Sequence, residues 1–348
     1  MDKDKKTDIR SKYGSDRLNN IQKEYTLKIC KSIRNREIKI RSPEGLEEEQ
    51  FFDCVREVRY QYPEFFYIDF GTINYTEGSN YYVYKPKYIY SEDEVKKKKA
   101  EINAAIKKIF LTINAEKASS VYQRCGLIHN YLVSSCTYDD EALNNRDAMP
   151  EAWTIEGVFL KNTAVCLGIS LAFRLLCSIL HIDAIVARGF SLEPGCTEYE
   201  RHAWNIVCVG DNAAHVDVTW DMCLSKNQSV IRYDYFFLPD LEAMRDHQYV
   251  GYPICRQLKS TYFEKTGTQF DSIEELGVYI KRGIAQAEKE QYKKALHFQF
   301  KMKNRKETKD EVYDYIRGII RSSFEHSYTW TAGTNDTQSV FLYSVEFV

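Results

Sequence analysis

The stretch "CLGISLAFRLLCSILH", residues 166 to 181, contains one Asp, Glu, Lys or Arg, namely Arg174. A helix that is apolar on every side has no face for water, so it belongs in the middle of a domain. The rest of the chain must cover it. With 348 residues, 44 % of them apolar, there is enough material for a large domain and a smaller companion. The head of the run raises a chemical question. Cys166 and Gly168 stand in its first turn. Cys166 reads either as one more packing thiol, the ordinary fate of a cysteine, or as a nucleophile at a helix N-terminus.

Residues 1–20 are charged and read as a solvated tail. "NIQKEYTLKICKSI" and "GLEEEQFFDCVREVRYQYP" have helical spacing, the second closed by Pro63. "FFYIDFGTINYTEGSNYYVYKPKYIY" predicts two or three antiparallel strands. Ser91 and Glu94 form a capping box before a long helix. Another helix spans "SSVYQRCGLIHNYLVSSC", and "TYDDEALNNRDAMPEAW" reads as loop. After the Cys166 helix, "IDAIVARGF", "HAWNIVCV" and "HVDVTW" predict three strands. Beyond about residue 255 the composition shifts, and the pattern is helix, strand, helix, strand. The expected division is a tail over 1–20, a main domain over 21–255 with an N-terminal helical and strand extension, and an accessory α+β unit over 256–348. That unit shows no chemical motif. It is expected to fold separately and to be the place where a protein partner would bind.

The ten cysteines include no C-x-x-C pair, so the strong zinc and thioredoxin spacings are absent. No metal and no cofactor are predicted, and the thiols are expected to be reduced. A net charge of -2 gives no sign of nucleic-acid binding. The start "MDKDKKTDIRSKYGSDR" has no apolar h-region, and no run of 18 apolar residues occurs, so the expectation is no membrane span and a cytoplasmic location.

A nucleophilic cysteine acts as its thiolate, and an ordinary thiol with a pKa of roughly 8.5 is mostly protonated at neutral pH. A helix N-terminus and a nearby imidazolium both favour ionisation. Cys166 has the first by position. The second is suggested by "RHAWNIVCVGDNAAHVDVTWD". A two-residue turn at Gly210-Asp211, with Gly first as a type II′ turn prefers, places Trp204 opposite Asp217. His202 then lies two residues along on the same face, at the diagonal separation of about 7–8 Å that side chains can span; a turn at Asp211-Asn212 would keep the face but stretch the separation. A thiol, a base and an orienting carboxylate are the parts of nucleophilic catalysis.

"AVCLGISLAFRLL", "RHAWNIV" and "HVDVTWD", in that order, resemble the transglutaminase-like superfamily of papain-type thiol enzymes. "CTYDD", "YDYFFLPDLEAMRDH" and "YPEFFYIDF" fit its bacterial branch, so the resemblance covers about residues 45–250. It implies an α+β fold with a papain/transglutaminase-like core, a buried nucleophile helix against an antiparallel sheet. It also implies Cys166 as nucleophile, His202 as base and Asp217 as the residue orienting the imidazole. Ile169 stands where bacterial members often carry an aromatic, and "NTA" where they often have glycine before the cysteine, which bears on the substrate groove. The Cys166 N–H is a natural oxyanion donor; Asn162 is a second candidate, against a plain loop or capping role. Trp204 and Gly168 are candidates for substrate binding, with core packing as the alternative for any strand aromatic, Trp220 included. His215, Asp221 and His181 read as structural, as do Cys177, Cys208 and Cys223.

The function implied is a cysteine-dependent hydrolase or acyltransferase working on amide bonds of peptides or proteins through a thioester, with a lean toward proteolysis. The alternative is a catalytically silent scaffold of the same fold. A glycan–asparagine amidase is disfavoured, because related amidases add a Cys-x-x-Cys zinc site.

Overall fold

Asn19 marks the start of regular structure in the computed structural model, which describes residues 18–193, 196–210, 212–226, 230–249, 252–256, 261–291, 295–323 and 327–347. Most of the expected tail, residues 1–17, lies outside them. Asn19 and Gln22 close a capping box at the head of α1 (Asn20–Arg34). This helix packs on α2 (Glu48–Gln61), burying Tyr25, Ile29, Phe51 and Val55 between them. The aromatic-rich stretch supplies short antiparallel pieces. Tyr75–Glu77 and Tyr82–Tyr84 join Ile40–Arg41 in one sheet, and Ile68–Asp69 pairs with Lys87–Tyr88. The box at Ser91 and Glu94 starts α3 (Glu92–Ile113), which ends on Asn114 in the left-handed region at φ 49°. Next comes α4 (Val121–Ser135), capped by Ser120.

The segment expected as loop is more structured than its sequence suggests. It holds a helical turn at Asp140–Asn144, a 3₁₀ turn at Pro150–Trp153 and a π-helical turn at Gly157–Lys161. Thr137–Tyr138 and Thr163–Ala164 pair in parallel. These turns cover the head of α5 (Cys166–Ile179), whose residues Cys166 to Phe173 are all buried. Beneath α5 lies a five-stranded antiparallel sheet of order β4-β3-β2-β1-β5. Its strands are β1 (Ala184–Ser191), β2 (Glu200–Val209), β3 (Asn212–Val216), β4 (Phe236–Leu238) and β5 (His247–Gln248). The chain is α+β, and α5 packs on β1 and β2.

The β2–β3 register pairs Val209 with Asn212 and Asn205 with Val216, the pairing that a two-residue turn at Gly210-Asp211 requires. Gly210 has φ 62°, as either primed hairpin turn needs at its first central position; Asp211 lies outside the described residues, so the turn type is not assigned. One expectation is corrected here. "HVDVTW" is strand only to Val216. Asp217 caps a helix, α6 (Val218–Ser225), its Oδ1 accepting the Trp220 N–H at 3.1 Å. An N-cap aspartate overrides the β preference of the following Val and Thr.

Beyond residue 260, β6 (Gln269–Phe270), α7 (Ile273–Lys289), β7 (Leu296–Met302), α8 (Lys309–Ser323), β8 (Tyr328–Asn335) and β9 (Val340–Phe347) form a four-stranded sheet with two helices and a separate buried cluster around Phe298, Ile316 and Phe341. Strand β8 was not expected. It is largely exposed along its first half, so its sequence lacks a burial alternation. This unit does not stand clear of the main sheet. Lys301 Nζ bonds Glu242 Oε2 at 2.7 Å, and Asn335 and Gln338, at the β8–β9 turn, reach Tyr235 and Asp246. Among the described residues, no helix is long and apolar enough to cross a membrane.

Candidate active site

Cys166 is the first residue of α5, with Val165 at the cap position in extended conformation. First-turn N–H groups have no carbonyl four residues back inside the helix, so they face whatever stands at its head. Gly168 makes close cover possible. A Cβ there would lie 2.5 Å from the Ala152 carbonyl oxygen and 2.9 Å from that of Thr154. The helix is fixed to the sheet by polar bonds: Ser170 Oγ donates to the Ala203 carbonyl at 3.0 Å, and Asn205 Nδ2 donates to those of Ser170 at 3.0 Å and Ile185 at 3.3 Å. Those bonds set the distance between α5 and β2, hence between Cys166 and His202.

His202 and Asp217 meet. The ring Nε2 of His202 lies 2.6 Å from Asp217 Oδ2, and the Cys166 thiol is near enough to act on the charge of the ring. All three side chains are buried, Cys166 at 6 % and His202 at 9 % exposure. Burial works against a charged ring, but the Asp217 charge and hydrogen bond, with a smaller contribution from Cys166, outweigh it and hold the imidazole up to about 10. Burial likewise works against the Asp217 carboxylate, and His202 followed by His247 overcomes it, so Asp217 stays below the usual carboxylate range. The pair is imidazolium and carboxylate at neutral pH.

Asp217 has a second histidine. His247 Nε2 lies 3.1 Å from the same Oδ2, and its Nδ1 lies 2.7 Å from Asp246 Oδ1. Burial opposes charge on His247 too, yet its bonds to Asp217 and Asp246 raise it above the ordinary histidine value. Asp246 Oδ2 accepts from Tyr235 Oη at 2.8 Å and from Gln338 Nε2 at 2.9 Å. Sequence reasoning missed His247. The signal was available, since His247 ends the block "YDYFFLPDLEAMRDH" that carries part of the family resemblance, but no spacing tied it to Asp217.

Trp204 and Gly168 are both buried behind the site. Trp204 is 1 % exposed and stacks on the His202 ring at 5.8 Å, while its indole N–H donates to His215 Nδ1 at 3.0 Å. Gly168 faces backbone of residues 152–154. Trp220 forms a second wall against His202, at 5.9 Å. Asn162 takes the left-handed C-cap of the π-helical turn at φ 56°, and its carbonyl accepts the Thr137 N–H, a capping role. Asp221 is fully buried between His129 Nε2, at 2.9 Å, and the Tyr235 N–H, at 3.0 Å. His181 is exposed just beyond the end of α5. Cys177 and Cys208 are buried, and Cys223 is exposed.

Among the described residues, two groups have metal-ligand composition, His202–Asp217–His247 and His215–Asp240–Cys255. Their inward atoms are already used as hydrogen-bond donors and acceptors. The Trp204 N–H on His215 Nδ1 leaves the proton on Nε2, which points at Asp240 Oδ1, 2.9 Å away. A cation there would meet an N–H rather than a lone pair.

No family model matches the chain, and no curated protein does. Among solved structures it is similar to a TGase, at 18 % identity and TM-score 0.30, over 52 % of this chain and 50 % of that one. It is also similar to a candidate cysteine protease from Cytophaga hutchinsonii, at 14 % identity and TM-score 0.28, over 43 % of this chain and 62 % of the other. The chain thus spans half to about three fifths of these neighbours. Likeness at this level leaves the reading of the site to its own geometry.

Proposed function

We propose that this protein is a cysteine-dependent hydrolase or acyltransferase of amide bonds in peptides or proteins, with Cys166 as nucleophile, His202 as acid and base, and Asp217 as the group that orients His202. The observation that carries the reading is the buried group of Cys166, His202 and Asp217, with the carboxylate 2.6 Å from Nε2 and the thiol near enough to act on the charge of the ring. In this scheme the Cys166 sulfur attacks the amide carbonyl carbon, and the carbonyl oxygen takes the negative charge. The N–H of Cys166, at the positive end of α5, is the donor placed to meet that oxygen. The imidazolium of His202 then gives its proton to the departing amine, and a thioester remains. Water, or a second amine, attacks the thioester carbon as His202 takes the proton back, and the C–S bond breaks to release the acid or the new amide and return Cys166 as thiolate. Hydrolysis is favoured, because transfer to an amine needs a site that excludes water.

The test is limited labelling by iodoacetamide followed by mass spectrometry, together with turnover of a denatured protein substrate such as casein, with and without a labelled primary amine. We expect Cys166 to label first among the ten thiols, and Cys166→Ala to abolish turnover while the fold is kept. Amine incorporation would assign acyl transfer. Preferential labelling of another cysteine, with Cys166 untouched, overturns the proposal.

A further inference from the structure

Asp217 is shared. Its Oδ2 receives both His202 Nε2, at 2.6 Å, and His247 Nε2, at 3.1 Å. Its Oδ1 receives the Trp220 N–H at 3.1 Å. Three donors from β2, β5 and α6 leave this carboxylate one orientation. His247 is itself held at its far nitrogen by Asp246 Oδ1, at 2.7 Å. Asp246 is held in turn by Tyr235 Oη and by Gln338 Nε2, at 2.8 and 2.9 Å. Asn335 Nδ2 donates to Tyr235 Oη at 3.0 Å, and Asn335 Oδ1 accepts the Gln338 N–H at 3.2 Å. From Asp217 through His247, Asp246, Tyr235 and Gln338 to Asn335, every residue is at most 2 % exposed. The chain of bonds therefore runs without a solvent gap from the β8–β9 turn of the C-terminal unit to the carboxylate that faces His202. Gln338 Nε2 donates to both Asp246 Oδ2 and the Glu242 carbonyl, the latter at 3.1 Å, while its Oε1 is buried with no partner among the described residues; a buried hydrogen-bonded network of this kind rigidifies what it touches.

We infer that the C-terminal unit is a structural part of the reacting site, with His247 a positioning residue for Asp217 and with Asp246, Tyr235 and the Gln338 amide as the anchor that fixes His247. The inference rests on Cys166, His202 and Asp217 being the reacting set. It gives the accessory unit a role that its sequence, empty of chemical motifs, does not suggest. His247 is walled by Trp204 at 4.8 Å, Trp220 at 4.6 Å and Tyr235 at 5.6 Å, so its ring cannot swing away without breaking this box. What keeps its two nitrogens aimed is the pair of carboxylates.

The test uses the full chain and reads the histidine ring N–H signals by ¹⁵N-edited NMR, alongside the rate of Cys166 alkylation by iodoacetamide. Gln338→Met keeps the volume and removes the amide donor. His247→Phe keeps a ring in the aromatic box and removes both bonds. Val312→Ala, in the separate core of the C-terminal unit, is the control for lost stability alone. We expect Gln338→Met to move the His247 and His202 ring signals and to slow alkylation about threefold. His247→Phe should slow it about tenfold, equal to about 1.4 kcal/mol, and Val312→Ala should leave the His202 signal in place. Should His247→Phe fail to fold, Gln338→Met decides. A His202 signal that stays at its wild-type position in Gln338→Met overturns the inference, as does a matching shift in Val312→Ala. A wild-type Cys166 no more reactive than the other thiols would sink the proposed function instead, while the NMR arm would still decide the network.

Discussion

Replacing Asp217 by Asn changes one buried oxygen to an NH₂ group and little else in shape. As a helix cap the amide is nearly as good, since Asn and Asp rank together at that position and the Trp220 N–H keeps an oxygen to bond. The other side of the residue fares worse. Two imidazole N–H groups, from His202 and His247, would point at an NH₂. Breaking a buried ion pair by removing one partner costs about 3–5 kcal/mol. A second route gives a similar size. A ring held at about 10, against an ordinary value near 6.5, contributes about 4 kcal/mol at pH 7 through proton linkage. Against a total stability of about 5–15 kcal/mol the variant should stay folded, with its melting temperature lower by roughly 10 °C. Without the carboxylate, burial of His202 is opposed only by the smaller contribution of Cys166, and the ring should fall below its ordinary value. The ring should then be neutral at pH 7, and the imidazolium that favours a Cys166 thiolate is gone. Alkylation of Cys166 by iodoacetamide at pH 6, where an unassisted thiol hardly reacts, should fall about tenfold or more. Should Asp217→Asn react at pH 6 as fast as wild type, Asp217 does not keep His202 charged, and the electrostatic reasoning fails however far the melting temperature drops.

Other expectations follow from the same geometry. Stability supplied by the raised His202 should be complete below about pH 6.5 and disappear as the pH climbs through about 10, while that from the lowered Asp217 should fade only on acidification below the ordinary carboxylate range; a urea titration across pH in wild type and Asp217→Asn checks both limbs. Gly168→Ala drives a methyl to 2.5 Å from the Ala152 carbonyl oxygen, so it should destabilise by about 1–3 kcal/mol and slow Cys166 labelling, because the cover or the helix head must shift; calorimetry with labelling kinetics would show it. Trp204→Phe removes the indole N–H from His215 Nδ1 and leaves that nitrogen buried, which should cost about 1–3 kcal/mol in thermal unfolding with less effect on labelling than Asp217→Asn.

The parts of this molecule legible in its sequence are those set by local periodicity and short range. The all-apolar run placed α5 at the centre, Ser91 and Glu94 marked a helix start, and the Gly210 turn fixed the β2–β3 register that brings His202 toward Asp217. Residues whose roles depend on distant partners were not legible. His247 reaches Asp217 across 30 positions, and Gln338 reaches Asp246 across 92. Nothing in the spacing of "EAMRDH" or "DTQSV" carries that information. Trp204 shows the converse case. An aromatic near a reacting group invites a substrate role, yet strand alternation equally well turns it to the core, where its N–H found His215.

The outward edge of β1 shows how this sheet ends. Val186 turns both its N–H and its carbonyl away from β2, and the side-chain amide of Gln61, at the end of α2, takes both, accepting the N–H at 3.2 Å and donating to the carbonyl at 3.0 Å. Two residues on, the Arg188 N–H finds the Tyr252 hydroxyl at 2.9 Å, and from there β5 takes over at Phe190 and Ser191. One glutamine and one tyrosine thus stand in for a missing strand. An open edge is a template on which a stray chain can add itself. Here that template is filled one group at a time, and the plug is shared with Arg174, whose Nε donates to the same Gln61 oxygen at 3.1 Å. The N-terminal helices are therefore the selvedge of the central sheet, and a fragment trimmed to begin after Gln61 would expose a sticky border directly beneath the helix that carries Cys166.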